Sequence, residues 1–290
     1  MKKNFLEFND IEKHEINYIF NLTKKLKKKP KQKLLSGKAF ALLFSKPSTR
    51  TRVSFEVGIS QLGGYPVSFG IKDIQLGRGE SIADTARTLS KYTDGIIARL
   101  FAHRDIVELG RYASVPVINA LTDEHHPCQA LADVFTIYEK KKKLKGIKIA
   151  LIGDGTENTF TSLIQACQIL GIEAIVGCPQ EYNPKIKVPM KPDPFAAVKG
   201  VDVVYTDTWV SMGQEKEVEK REKILREYQV NEELMALAKK DAIFMHPLPA
   251  YRGKEVTTEV IDGESSVVWD QAENRLHTQK ALLVYLNRFK

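Results

Sequence analysis

The feature that most constrains this chain is a run of short apolar segments that alternate with helix-patterned ones, and that begins afresh midway. Ala39 to Phe44 is a continuous apolar run closed by the polar Ser45–Ser48 loop. A helical pattern through Val53, Val57 and Leu62 follows and stops at Gly63-Gly64, as glycine does at helix ends. Gly95–Leu100 and Val115–Leu121 are further apolar runs, and His126–Glu139 carries Leu131, Val134, Phe135 and Tyr138 at helical spacing with Pro127 in its first turn. After the basic stretch 140–145 the pattern restarts: strand Ile147–Ile152, helix Thr159–Leu170 stopped by Gly171, strand Ala174–Gly177, helix Pro194–Lys199 and strand Val201–Thr206. A helix capped by Asn231, strands Ala242–His246 and Val267–Trp269, and a terminal helix Gln271–Phe289 complete the reading. Strands that are apolar on both faces and alternate with helices belong to parallel sheets covered on both sides. The expected fold is therefore α/β, with two doubly wound parallel-sheet domains and an active-site cleft between them. Chemistry is expected in the loops after the strands.

Composition removes several other classes. The chain has 290 residues, 43% hydrophobic and 28% charged, enough for two soluble cores. No apolar stretch is long enough to span a membrane, and Glu7, Asp10 and Glu12 break any signal-peptide core near the N-terminus. A cytoplasmic protein is expected. Three cysteines, Cys128, Cys167 and Cys178, have no paired spacing, so reduced thiols are expected rather than a disulfide frame or a metal knuckle. The net charge of +8 lies largely in two lysine runs, 24–33 and 140–145. No aromatic residues interleave them, so they read as solvated surface rather than a nucleic-acid face.

The most informative loop is Ser45–Arg52. Ser48 and Thr49 suit a helix N-cap, yet Arg50 and Arg52 occupy the first turn, where the helix dipole disfavours a cation by roughly 0.3–1 kcal/mol. A bound anion reverses the sign of that cost, and hydroxyls, free amides and a guanidinium at a helix start form a phosphate cradle.

Ser48-Thr49-Arg50-Thr51-Arg52, with Val53-Ser54-Phe55-Glu56 after it, resembles the carbamoyl-phosphate motif of the aspartate/ornithine carbamoyltransferase family. The likeness continues through Asp73–Glu80, Leu121–Ala130, Asp207–Glu215 and Ala272–His277, and Ser211-Met212-Gly213 is similar to the ornithine branch. The resemblance implies transfer of the carbamoyl group of carbamoyl phosphate to an amine, with no metal and no cofactor. Ornithine is the implied acceptor, with putrescine or lysine as alternatives. A non-catalytic carbamoyl-phosphate-binding relative is the rival from another class.

By resemblance, Ser48, Thr49, Arg50, Thr51, Gln75, Arg99, His126, Gln129, Pro247, Leu248 and Arg275 would bind carbamoyl phosphate. Thr51, Arg99 and His126 would act on its carbonyl oxygen. Asp207, Ser211 and Met212 would bind ornithine, together with Glu157 or, after a one-residue shift, Asn158. The implied domains are 1–132 with the C-terminal helix 272–290 packed back on it, for carbamoyl phosphate, and 133–271 for the amino acid. The implied assembly is a homotrimer whose subunits share sites through the Gln75 loop. Two positions depart from the family pattern. Pro247 stands where the ornithine branch has cysteine, and Glu157 stands where it has asparagine. Leu248-Pro249 is a candidate cis peptide. The stretch Pro179–Pro194 is short against the family, which implies a trimmed second domain.

Overall fold

The computed structural model describes residues 3–45, 48–70, 79–210 and 217–288. The chain divides into two compact units, Met1–Ala132 with Glu273–Lys290, and Asp133–Ala272.

The first unit opens with α1 (Lys13–Lys28), whose buried stripe is Ile16, Ile19, Phe20, Thr23 and Leu26 and whose lysines face outward. Four parallel strands follow: β1 (Ala39–Phe44), β2 (Tyr65–Gly70), β3 (Gly95–Arg99) and β4 (Val117–Leu121), in the order β2-β1-β3-β4. Between them run α2 (Thr49–Gln61), α3 (Ile82–Tyr92) and α4 (His103–Tyr112), and α5 (Pro127–Lys141) leaves after β4. β1 and β3 are buried along almost their whole length, as inner strands of a doubly covered sheet must be.

The second unit contains β5 (Lys148–Ile152), α6 (Asn158–Leu170), β6 (Glu173–Gly177), β7 (Met190–Lys191), α7 (Pro194–Val198) and β8 (Val203–Thr206). It continues with α8 (Val218–Leu225), α9 (Glu232–Ala236), β9 (Ile243–Met245) and α10 (Thr258–Ile261). Its sheet is also all parallel, in the order β7-β6-β5-β8-β9. Gly171 takes φ +74 at the end of α6 and Asn231 caps α9 through the Leu234 amide, as the sequence implies. The last helix, α11 (Val268–Leu286), starts in the second unit and ends in the first.

Two expectations need correction. Val267–Trp269 is not a strand: a single bridge pairs Ser266 with Phe244, and Val268 already begins α11. Val53 and Val57 do not form the core face of α2. They are 50% and 39% exposed, and the buried face is Thr51, Phe55, Gly58 and Ile59. The sequence reading assigned neither β2, an edge strand of mixed exposure, nor helices α1, α3 and α4, although each of these helices has a well-defined apolar face. The three cysteines are free and buried, and burial pushes the Cys128 and Cys178 thiols up to about 12 and about 11, so neither is a thiolate at neutral pH.

On the first-unit part of α11, Lys280 is wholly buried. Its ammonium donates to the Pro30 carbonyl (2.6 Å) and to Gln61 Oε1 (2.8 Å), and Gly58 leaves the room its stem occupies. Burial lowers its pKa to about 8 from 10.5. Between these values the unfolded chain binds the extra proton and the folded one does not, so stability rises with pH. In chemical denaturation, the wild type should therefore gain stability relative to Lys280→Met as pH is raised from 8 to 10.5.

Candidate active site

In the first sheet the strand order reverses between β1 and β3, and ligands of open α/β sheets bind beyond the carboxyl ends of the strands at such a point. Phe44 and Arg99 are paired neighbours there, and the Ser45 amide donates to the Arg99 carbonyl (2.9 Å). The β3–β4 register shifts between Ala98 and Arg99, an irregularity of the kind that re-aims a side chain at a strand end.

The residues singled out in the first half converge on this place. Thr51 is buried in the first turn of α2, while Ser48 is half-buried and Thr49 and Arg50 are exposed. Ser48 is the N-cap residue, but its hydroxyl makes no capping hydrogen bond. Arg275, on α11, donates to Gln129 Oε1 and to Thr51 Oγ1 (3.3 Å). Arg99 is 8% exposed, and its Nε has no hydrogen-bond partner among the described residues. Burial, with Arg275 and Arg50 close by, pulls its guanidinium down to about 10. His126 is buried, and burial together with Arg275 and Arg99 holds its imidazole well below its ordinary value. Arg52 does not join the group: it pairs with Glu56 at 2.9 Å on the exposed side of α2, a structural i,i+4 pair.

The loop that delivers His126 is stapled by residues that sequence reasoning passed over. Thr122 N donates to the His125 carbonyl (2.9 Å), His125 N donates to Thr122 Oγ1 (3.2 Å), and buried Asn119 donates to the Leu6 carbonyl (2.8 Å). Fully buried Asn and Thr beside a strand end were the available signal.

In the second sheet the order reverses between β5 and β8. After β5, Asp154 is buried and Thr156 donates to its Oδ1 through both N (2.8 Å) and Oγ1 (2.6 Å). Glu157 is the N-cap residue of α6 and is buried, without a capping hydrogen bond from its side chain. Asn158 opens the helix and is half-buried. After β8, Asp207 accepts from Thr159 Oγ1 and from the Thr208 amide, both at 2.7 Å. Burial pushes the Asp207 carboxyl up and Glu255 adds to this, while His246 and the two hydrogen bonds oppose it.

The segment after β9 is set by a buried pair. His246 Nδ1 accepts from the Leu248 amide (2.9 Å), which leaves Nε2 as the protonated nitrogen donating to Glu255 Oε1 (3.2 Å). Glu255 also accepts from the Tyr251 amide (2.6 Å). Leu248 has φ +54, and Leu248-Pro249 is cis. Pro247 and Leu248 are both half-buried. Gln75, Ser211 and Met212 lie outside the described residues.

One unit thus collects cations, a hydroxyl and a neutral imidazole at its switch point, and the other presents a carboxylate at the equivalent place. This is a two-domain α/β transferase with separate anion and amine sites. The chain belongs to the aspartate/ornithine carbamoyltransferase family: the family's carbamoyl-P binding domain matches residues 3–139 and its Asp/Orn binding domain matches residues 145–286. It is 54% identical to an ornithine carbamoyltransferase of Pyrococcus horikoshii, over 88% of this chain and 84% of that protein. It is 49% identical to one from Anoxybacillus flavithermus, over 98% and 96%. The solved structure of the ornithine carbamoyltransferase from Pyrococcus furiosus superposes with a TM-score of 0.93 at 48% identity, covering 97% of this chain and 96% of that one.

The electrostatics of the first site can be checked directly. With burial and two arginines holding its pKa down, His126 should be a neutral imidazole at pH 6.5, where an ordinary histidine is half protonated. Its ring resonances in nitrogen-15-edited NMR spectra should titrate only well below that pH; a midpoint near 6.5 would show that neither burial nor the arginines lower it.

Proposed function

We propose that this chain transfers the carbamoyl group of carbamoyl phosphate to the δ-amine of L-ornithine, forming citrulline and phosphate in arginine biosynthesis. The observation that carries the donor half is the convergence of Arg50, Arg99 and Arg275 around Thr51, His126 and Gln129. Ornithine as the acceptor rests on the relatives of about half identity along nearly the whole chain, named ornithine carbamoyltransferases, one of them designated anabolic.

In this reading residues 1–132 with 272–290 form the carbamoyl-phosphate domain and 133–271 the ornithine domain. The hydroxyls and amides of Ser48, Thr49 and Thr51, with Arg50 and Arg275, hold the phosphate at the start of α2. Thr51, Arg99 and neutral His126 donate to the carbonyl oxygen and stabilise it as it becomes an oxyanion. Gln129 and the carbonyls of Pro247 and Leu248 take the carbamoyl NH2, and Gln75 contributes from a neighbouring copy in a homotrimer. The neutral δ-amine attacks the carbonyl carbon. A C–N bond forms, the C–O bond to phosphate breaks with its electron pair leaving on phosphate, and the proton lost by the amine passes to the departing phosphate.

Asp207 takes the cationic amine of ornithine, which offsets the cost of burying its carboxylate. Ser211 and Met212 hold the amino-acid end. Between the two candidates for the α-carboxylate, Asn158 is preferred. It is the more open, it lies in the first turn of α6 where anions are favoured, and it carries no charge to repel a carboxylate. Glu157 then remains a buried shoulder of the site. The protein works in the cytoplasm; no described helix is long and apolar enough to cross a membrane.

The test is purified protein with carbamoyl phosphate and, separately, ornithine, lysine, putrescine and aspartate. Citrulline from ornithine and no ureido product from the others is expected. Ureido product from another amine alone would replace the acceptor, and no product from any would overturn the enzyme. Arg99→Met should lower kcat by about 10²–10³, as removal of one oxyanion donor does.

A further inference from the structure

Arg221 lies on α8, fourteen positions beyond Asp207 in sequence, and nothing in the proposed chemistry uses it. Yet it is 6% exposed and satisfied on several sides. Nη1 bonds both the Asp154 carboxylate and the Trp209 carbonyl (3.3 Å), Nε bonds Glu217 Oε2 (3.0 Å), and the guanidinium stands 5.0 Å from the centre of the Tyr182 ring. Asp154 and Trp209 belong to the two loops that flank the switch point of the second sheet, after β5 and after β8. Glu217 and Trp209 lie on either side of residues 211–216.

These contacts close a ring. From Arg221 the ring runs to Asp154, whose Oδ1 fixes the turn at Thr156 that leads into α6. The first turn of α6 carries Asn158 and Thr159, and Thr159 Oγ1 donates to Asp207. Asp207 is two residues from Trp209, whose carbonyl returns to Arg221. Gly155 allows the close fit, since a Cβ there would lie 2.4 Å from the Tyr182 carbonyl oxygen, and Gly153 supplies a φ of +128 that other residues rarely adopt. Asp207 and Asn158 are therefore held at a fixed separation by a guanidinium that touches neither.

We propose that Arg221 is a positioning residue for the acceptor: it sets the spacing between Asp207 and Asn158 and so controls affinity for the amino-acid substrate and not for carbamoyl phosphate. The inference rests on the ornithine reading. A lysine cannot replace it fully, because one ammonium cannot present a planar fork to Asp154, Trp209 and Glu217 together. A purely structural ion pair would make a different prediction: its loss would lower stability and reduce the active fraction, leaving both KM values in place.

The experiment is steady-state kinetics of the full chain with each substrate varied, on wild type, Arg221→Lys, Arg221→Met and Asp154→Asn, with Tm measured for each. Expected is a rise in the ornithine KM of about 10-fold or more in Arg221→Met, a smaller rise in Arg221→Lys, and a carbamoyl-phosphate KM within about twofold of wild type in both. Asp154→Asn keeps an acceptor oxygen for Thr156 but loses the charge, and should raise the ornithine KM in the same sense. Should Arg221→Met fail to fold, Arg221→Lys and Asp154→Asn decide. An unchanged ornithine KM in the folded variants, or equal rises in both KM values, overturns the proposal. Absence of turnover in wild type itself overturns the ornithine reading instead.

Discussion

Repulsion among clustered guanidinium groups, two of them buried, marks the first unit. Arg50, Arg99 and Arg275 come from α2, β3 and α11, and each is brought in by an element held by other forces. The sheet register beside Phe44 fixes Arg99, the apolar face of α2 fixes Arg50, and α11 carries Arg275 alongside its anchor at Lys280. Burial, with Arg275 and Arg50 close by, holds the Arg99 guanidinium below its ordinary value. In the proposed reading a bound phosphate offsets this repulsion, so part of the energy that folds the surrounding sheet returns as affinity for the anion.

The same charge prepares His126. An imidazole among guanidinium groups stays neutral and so keeps one N–H to donate and one lone pair to accept. It would not compete with the arginines for a proton, nor add a further cation for the phosphate alone. The role proposed for it follows from its neutrality: a donor for a carbonyl oxygen whose charge grows only during reaction. Thr122 and Asn119 matter for this reason, because they fix the turn from which His126 projects.

The strands that hydrophobicity marks most plainly are the ones that position chemistry. β1, β3, β5 and β8 are the innermost strands of their sheets, and burial on both faces is what makes a continuous apolar run. β2 lies at an edge with alternating exposure, so its pattern is diluted, and α1, α3 and α4 show only one face to the core. The sequence misled at α2 because it treated valine as core when the helix buries Phe55 and Ile59 and leaves Val53 and Val57 exposed. It misled at Val267–Trp269 because a short β-branched run next to a helix reads equally as strand or first turn. In the site, Arg50 and Arg52 broke the same helix rule, yet only Arg50, itself exposed, lies close enough to act on buried Arg99. Arg52 has Glu56 four residues on, and that pairing was visible in the sequence. For Arg221 only the pairing with Glu217, four residues earlier, was visible in the sequence. Its other partners are 12 and 67 residues away, and the parallel sheet brings Asp154 to it.

The two departures from the family pattern differ in physical consequence. Pro247 removes a side chain and an N–H, but the segment it belongs to is shaped by His246 and Glu255. With Nδ1 accepting from Leu248 and Nε2 donating to Glu255, the ring is committed on both sides, and Leu248 is kept at a positive φ that a leucine adopts only under constraint. The backbone carbonyls of Pro247 and Leu248 are thus fixed by residues that the departure leaves intact. Glu157 is a change of charge, and its effect depends on where the carboxylate goes. Buried at the N-cap of α6, it is drawn toward the positive end of the helix dipole, while the half-open Asn158 takes the position next to Asp207 through Thr159. The one-residue shift proposed for this loop leaves its frame in place, because Asp154 and Arg221 hold its start and Thr159 holds its end. The acceptor half is therefore specified by the frame around the loop more than by the letter at any one position within it.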